Sequence, residues 1–126
     1  LSKIRYFTDG GYYAEAHALM EQITPEDLGT RRDSVEFCYR KARLLQKQNR
    51  FTEAKPLYDK VIKDSKNESW YFAPNSCLQQ GYMALSEGHN EQAEGYFKRA
   101  LQFTNHEYKN SIDSKARSAL SQMKRR

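Results

Sequence analysis

Two cysteines, three histidines, a glycine pair and a scatter of arginines are the residues of this chain with chemistry to offer, and their spacing decides which chemistry is open. Cys38 and Cys77 lie 39 residues apart, with no CxxC spacing and no neighbouring His pair, so the four close ligands of a zinc site are lacking. His17, His89 and His106 are dispersed, without HExxH spacing and without a partner that would make a catalytic acid–base pair. Gly10-Gly11 has neither the preceding strand nor the following Lys-Ser/Thr of a phosphate loop, and it reads as a turn between helices. The expectation is a chain with no catalytic residue, no cofactor and no metal, and so not an enzyme. What remains is recognition. Arg5, Arg40, Arg43 and Lys47 offer forked or point donors suited to carboxylates.

The elements that must position these residues are set by a repeat. Tyr13-Ala-Glu-Ala16 returns as Phe51-Thr-Glu-Ala54, and more loosely around Ala93, so that Ala16, Ala54 and Ala93 stand 38 and 39 residues apart. A period of that size marks an array of helix pairs. Function is then to be sought on a surface. Stacked units would hold matching residues about 10 Å apart, beyond the ~7 Å Cα limit of a disulfide, and Cys38 and Cys77 occupy matching places. Two buried, reduced cysteines are expected.

Composition agrees with a single helix-rich domain. Charged residues make up 29% and hydrophobic ones 38%, with only 6 Gly and 3 Pro, which argues against disorder and against a turn-rich β sandwich. No apolar run approaches the eighteen or so residues of a membrane span. The net charge of +5 is local: residues 1–108 carry 15 basic and 15 acidic side chains, and the excess sits in 109–126. A basic helix ending a domain reads as a solvated face with cations favourable near its C-terminus. No nucleic-acid motif accompanies it, and no nucleic-acid partner is expected.

Along the chain, apolar Leu1, Ile4, Tyr6 and Phe7 read as the last turns of a helix broken at Asp9-Gly10-Gly11. A helix with Ala16, Leu19, Met20 and Ile23 follows, and Thr24-Pro25 stops it and caps a short new turn. Asp33 with Glu36 opens the next helix, Thr52 is the expected cap of its partner, and Asn90 caps the helix of Ala93, Phe97 and Ala100. A last helix carries Ile112, Ala116, Ala119, Leu120 and Met123 on one stripe. No strand is needed. The order is half-pair, pair, pair, cap.

Ala42, Phe51, Ala54, Tyr58 and Val61, then Gly81, Gly88, Ala93, Phe97 and Ala100, give a pattern that resembles the tetratricopeptide repeat. The resemblance implies an all-α, antiparallel helix-pair α-solenoid. In that family small residues in both helices and an aromatic four positions later let the pair pack closely; here Ala42 and Gly81, Ala54 and Ala93, and Tyr58 and Phe97 match those places. The spacing exceeds the family's usual one, Met20 stands where the first unit would have its aromatic, and the chain is expected to begin within a repeat of a longer protein. The expected division of one domain, 1–126, is a truncated repeat at 1–24, full repeats at 34–64 and 70–103, and a capping helix at 108–124.

The resemblance implies a non-enzymatic protein-interaction scaffold that binds a partner in the concave groove lined by the first helices. The residues not used for packing there are Arg5, Glu36, Tyr39, Arg40, Arg43, Gln46 and Lys47, with Asn75, Leu78, Gln79, Tyr82 and Leu85 from the third unit. Their basic and tyrosyl character points to a protein or peptide partner of acidic character. The family's carboxylate clamp is not matched, since its places hold Leu1, Arg5, Arg40, Asn75 and Gln79. A regulatory or ligand-sensing domain of a larger signalling or transcription-regulating protein is the alternative. Leu1, Ile4 and Phe7 are expected to be partly exposed and open to homodimer formation, and Ile112, Ala116, Leu120 and Met123 to cover the last pair. A cytoplasmic location is expected, or an envelope one should the parent chain carry a signal sequence.

Overall fold

The computed structural model describes residues 1–125, and among them it contains seven α-helices and no strand. In chain order these are α1 (Ser2–Asp9), α2 (Tyr13–Glu21), α3 (Arg31–Lys47), α4 (Phe51–Ser65), α5 (Phe72–Ser86), α6 (Asn90–Gln102) and α7 (Lys109–Lys124), with a 3-10 turn at Pro25–Asp27. The architecture is all-α and built from helix pairs. Two compact units divide it, Leu1–Val61 and the residues from Ile62 onward.

The period seen in the alanines extends to the backbone of the turns. Gly11, Asn49 and Gly88 adopt φ of 82°, 60° and 79°, and each stands five residues before Ala16, Ala54 or Ala93. Past each of them an N–H reaches back five residues: Tyr12 to the Phe7 carbonyl at 2.8 Å, Arg50 to Leu45 at 2.9 Å and His89 to Ala84 at 2.8 Å. Such a left-handed residue closes a helix by satisfying carbonyls its last turn leaves open. Glycine enters this region at no steric cost, and asparagine is among the few others that tolerate it. One turn chemistry therefore folds each pair back on itself. The long repeat arises elsewhere. Ile4 to Ala16, Ala42 to Ala54 and Gly81 to Ala93 are each 12 residues apart, so the excess length lies beyond the anchoring alanines, in the second helices and linkers such as 22–30 and 66–71.

Three helix starts differ from the sequence expectation. α3 begins at Arg31 because Thr30 caps it, its Oγ1 accepting the Asp33 N–H at 3.0 Å; Asp33 lies inside the first turn. Thr52 lies within α4, which starts at Phe51. His89 holds the cap position of α6 and Asn90 is its first residue. In the last two cases the left-handed residue just upstream sets where the next helix starts, which overrides the capping preference of a side chain. At Thr24 the expectation holds: the Asp27 carboxylate accepts its N–H at 2.8 Å.

In the first unit Ile4, Ala16, Met20 and Leu44 form a buried cluster, with Leu1, Phe7, Tyr13, Leu19, Ile23 and Phe37 packed against it. Ile4 is fully buried, contrary to its expected partial exposure, because α1 packs against both α2 and α3. The aromatics left in solvent there are Tyr6 and Tyr12. In the second unit the core joins Cys77, Leu78 and Ala84 of α5, Ala93, Phe97 and Ala100 of α6 and Ile112, Ala116 and Ala119 of α7. Gly81 brings the α5 backbone against the Phe97 ring, where a Cβ would sit 2.5 Å from Cε1. Tyr82 meets that ring edge-on at 5.4 Å. On α7 the buried Asp113 carboxylate is held by Lys109 one turn earlier.

Candidate functional site

Seventeen residues of uninterrupted helix make α3 the longest surface on which basic side chains recur at helical spacing. Glu36, Arg40, Arg43 and Lys47 share one side of it, since residues three and four apart are neighbours on a helix. Their environments differ. Arg40 is buried, with Nε and one terminal nitrogen each 3.1 Å from the Glu36 Oε2, and its guanidinium carbon stands 5.2 Å from the centroid of the Tyr39 ring. Tyr39 itself is buried and packs edge-on to Tyr58 at 6.3 Å. The Arg40 charge is met within its own helix.

Arg43 is different. It is half-buried and donates to the Gln46 Oε1 at 3.3 Å, the same oxygen that accepts the Tyr58 hydroxyl. No carboxylate of the described residues lies within ion-pair distance of it. Burial drives the Tyr58 phenol well above the ordinary tyrosine range, while the nearby Arg43 guanidinium pulls it the other way. Gln46 thus ties a buried phenol to a cation and fixes where that cation points. Lys47 is exposed, and so is Arg5 on α1, with its Nε 3.7 Å from Asp9.

This network makes a pH prediction. The folded state keeps Tyr58 neutral, so stability from that site is intact below the ordinary tyrosine value of 10.0 and falls as pH rises above it, where the unfolded chain ionises. Tyr58→Phe should cost about 1 kcal/mol at neutral pH through the lost hydrogen bond and should flatten the alkaline fall, as read by urea unfolding across the alkaline range. A variant whose alkaline slope matched the parent's would place the Tyr58 hydroxyl in solvent contact.

On the second unit, α5 carries Asn75 half-buried, Gln79 buried and Tyr82 half-buried, the Tyr82 phenol raised by burial. The structure thus sorts the twelve sequence-chosen residues. Arg5 and Lys47 are in solvent; Glu36, Arg43, Gln46, Asn75, Tyr82 and Leu85 are half-buried; Tyr39, Arg40, Gln79 and Leu78 are inside, Leu78 as part of the core of the second unit rather than its surface. It also gives Tyr58, read from sequence as a packing residue, a second role through its hydroxyl, which no helical pattern discloses.

The other chemical groups are accounted for locally. Cys77 is buried and Cys38 half-buried; both are free thiols, and the Cys38 Sγ–H donates to the Leu57 carbonyl at 3.5 Å. His17 Nε2 is 2.9 Å from Gln48 Oε1, and His106 Nδ1 donates to the Glu107 carbonyl at 2.8 Å. Among the described residues no group of three or more metal-binding side chains is gathered, and no helix is long and apolar enough to cross a membrane.

Residues 35–63, which span α3 from Val35 and nearly all of α4, match the family model for the tetratricopeptide repeat. No curated protein and no solved structure matches the chain. Helix pairs of this type are protein-interaction modules, with work done by their surfaces rather than by an enclosed pocket. The match covers one helix pair, and the 12-residue interval between small residues in paired helices, together with the strand-free architecture of the described residues, supports a helical repeat protein of that kind.

Proposed function

We propose that this chain is a non-enzymatic scaffold that holds an acidic segment of a partner protein along α3, with Arg43 as its anchor. The observation that carries the reading is that Arg43 is half-buried, oriented by Gln46 and free of any carboxylate among the described residues. A guanidinium that has lost part of its water and gained no anion is well placed to accept one from outside, and its fork suits a carboxylate. Lys47, in solvent one turn further on, adds long-range attraction more than affinity. Arg40 contributes position rather than charge, because Glu36 neutralises it and Tyr39 supports it. Asn75, Gln79 and Tyr82 on α5, and Arg5 on α1, enter the proposal as polar contacts of the same partner class.

An array of short peptides in which carboxylates flank one apolar residue, set beside its charge-reversed counterpart, tests the reading. The chain should prefer the acidic array, and Arg43→Ala should weaken binding along α3 by about tenfold, the worth of one charge-assisted hydrogen-bonded pair. Arg43→Lys should restore only part of it, since an ammonium cannot bind bidentately. Equal binding to both arrays, or an Arg43→Ala variant with undiminished affinity, would sink the assignment.

A further inference from the structure

The corner of the second unit where the segments 66–71 and 103–108 meet is built more firmly than a connection between helices requires. The Glu107 N–H donates to the Ser69 carbonyl at 3.0 Å, and the Glu107 carboxylate accepts the Tyr71 N–H at 3.3 Å, so one residue pins two segments 36 positions apart. Directly after it Tyr108 sits at φ 57° and ψ 26°. That is the left-handed region, where a bulky side chain costs on the order of 1–2 kcal/mol. The ring is not hidden as recompense: Tyr108 is 70% exposed, held edge-on against Tyr71 at 5.3 Å. A position suited by conformation to Gly or Asn instead presents a fixed aromatic to water.

Residues 66–69 and 103–105 of the same two segments wall a cleft of about 570 Å³ together with the end of α6. Lys66 and Arg99 line it, both exposed and neither in an ion pair among the described residues, against the single lining carboxylate of Glu68. Arg99 gains a little from the C-terminal end of the α6 dipole, which leaves its forked donors available. We propose that this corner is a second protein-docking surface, independent of α3, for an acidic partner segment whose apolar residue packs on Tyr108 while its carboxylates meet Lys66 and Arg99. Rigid tyrosines and arginines beside a cleft are the residue types that concentrate binding energy at interfaces, and the net positive lining selects the sign of the partner.

The acidic peptide array and its charge-reversed counterpart are probed with the full chain, with Tyr108→Asn, which keeps the left-handed backbone accessible, and with Lys66→Ala combined with Arg99→Ala. A subset of acidic peptides should lose about tenfold in affinity with either variant and retain it with Arg43→Ala. If Tyr108→Asn unfolds the chain, the double alanine variant, confined to exposed side chains, still decides. The proposal is overturned if no acidic peptide responds to the double variant by more than about twofold, or if every peptide that responds to it is lost equally with Arg43→Ala.

Discussion

Gly81→Ala should destabilise the second unit by about 1–3 kcal/mol, the usual cost of forcing extra volume into a close-packed core. The added Cβ would stand 2.5, 2.7 and 2.8 Å from three carbons of the Phe97 ring. That ring cannot yield easily, being fully buried in the core shared by α5, α6 and α7 and in contact with Tyr82. The sign makes the test sharp, because glycine to alanine inside a helix ordinarily gains up to ~1 kcal/mol. Gly95, in the middle of α6, is exposed and a Cβ there would meet nothing within 4 Å; Gly95→Ala should therefore raise stability by about 0.5–1 kcal/mol. Two chemically identical substitutions are expected to move the urea midpoint in opposite directions. Pairing Gly81→Ala with Phe97→Leu should cost less than the sum of the two, as contacting residues are not additive. If Gly81→Ala left the midpoint unmoved, the α5–α6 approach would be looser than described.

Ending the chain after Tyr108, which removes α7, should have the larger effect still. Ile112, Ala116 and Ala119 are buried against Ala93, Phe97 and Ala100, with Leu120 and Met123 partly buried beside them. Burial of Ile112 alone contributes about 1.5–3 kcal/mol, and removing the helix exposes the apolar side of α6 as well. A loss of several kcal/mol is a large part of the 5–15 kcal/mol by which domains are stable. The shortened chain should scatter light, bind a hydrophobic dye and lose its cooperative melt. A gentler version, Ala116→Asp, buries an unpaired charge at a fully enclosed site and should approach the same result. A soluble truncation with an unchanged melting temperature would show that α7 is not the cover of this core.

Much of this was legible without coordinates, and the reason is local. Small residues at Ala42, Ala54, Gly81 and Ala93, and aromatics at Tyr58 and Phe97, work through backbone approach, which depends on side-chain size and helical period alone. The turns at Gly11, Asn49 and Gly88 follow from the few residue types that tolerate positive φ. Helix starts were less legible. Thr30 competes with Asp33, and the turn geometry at Asn49 and Gly88 overrides Thr52 and Asn90, so the outcome depends on two signals that sequence displays with equal weight.

The recognition residues divide along the same line. That α3 carries Arg40 and Arg43 on one side is fixed by a spacing of three. That Arg40 is neutralised by Glu36 while Arg43 is held by Gln46 beneath the Tyr58 hydroxyl depends on rotamers and on burial by other helices, neither of which has a sequence period. The exposed ring of Tyr108, pinned through contacts between residues 36 apart, lies wholly on that second side. Sequence determined the all-helical, paired architecture and the kind of surface on offer, because helix packing repeats; tertiary structure decided which charges remain available on it, because charge satisfaction depends on whichever neighbours the folded chain brings within a few ångströms.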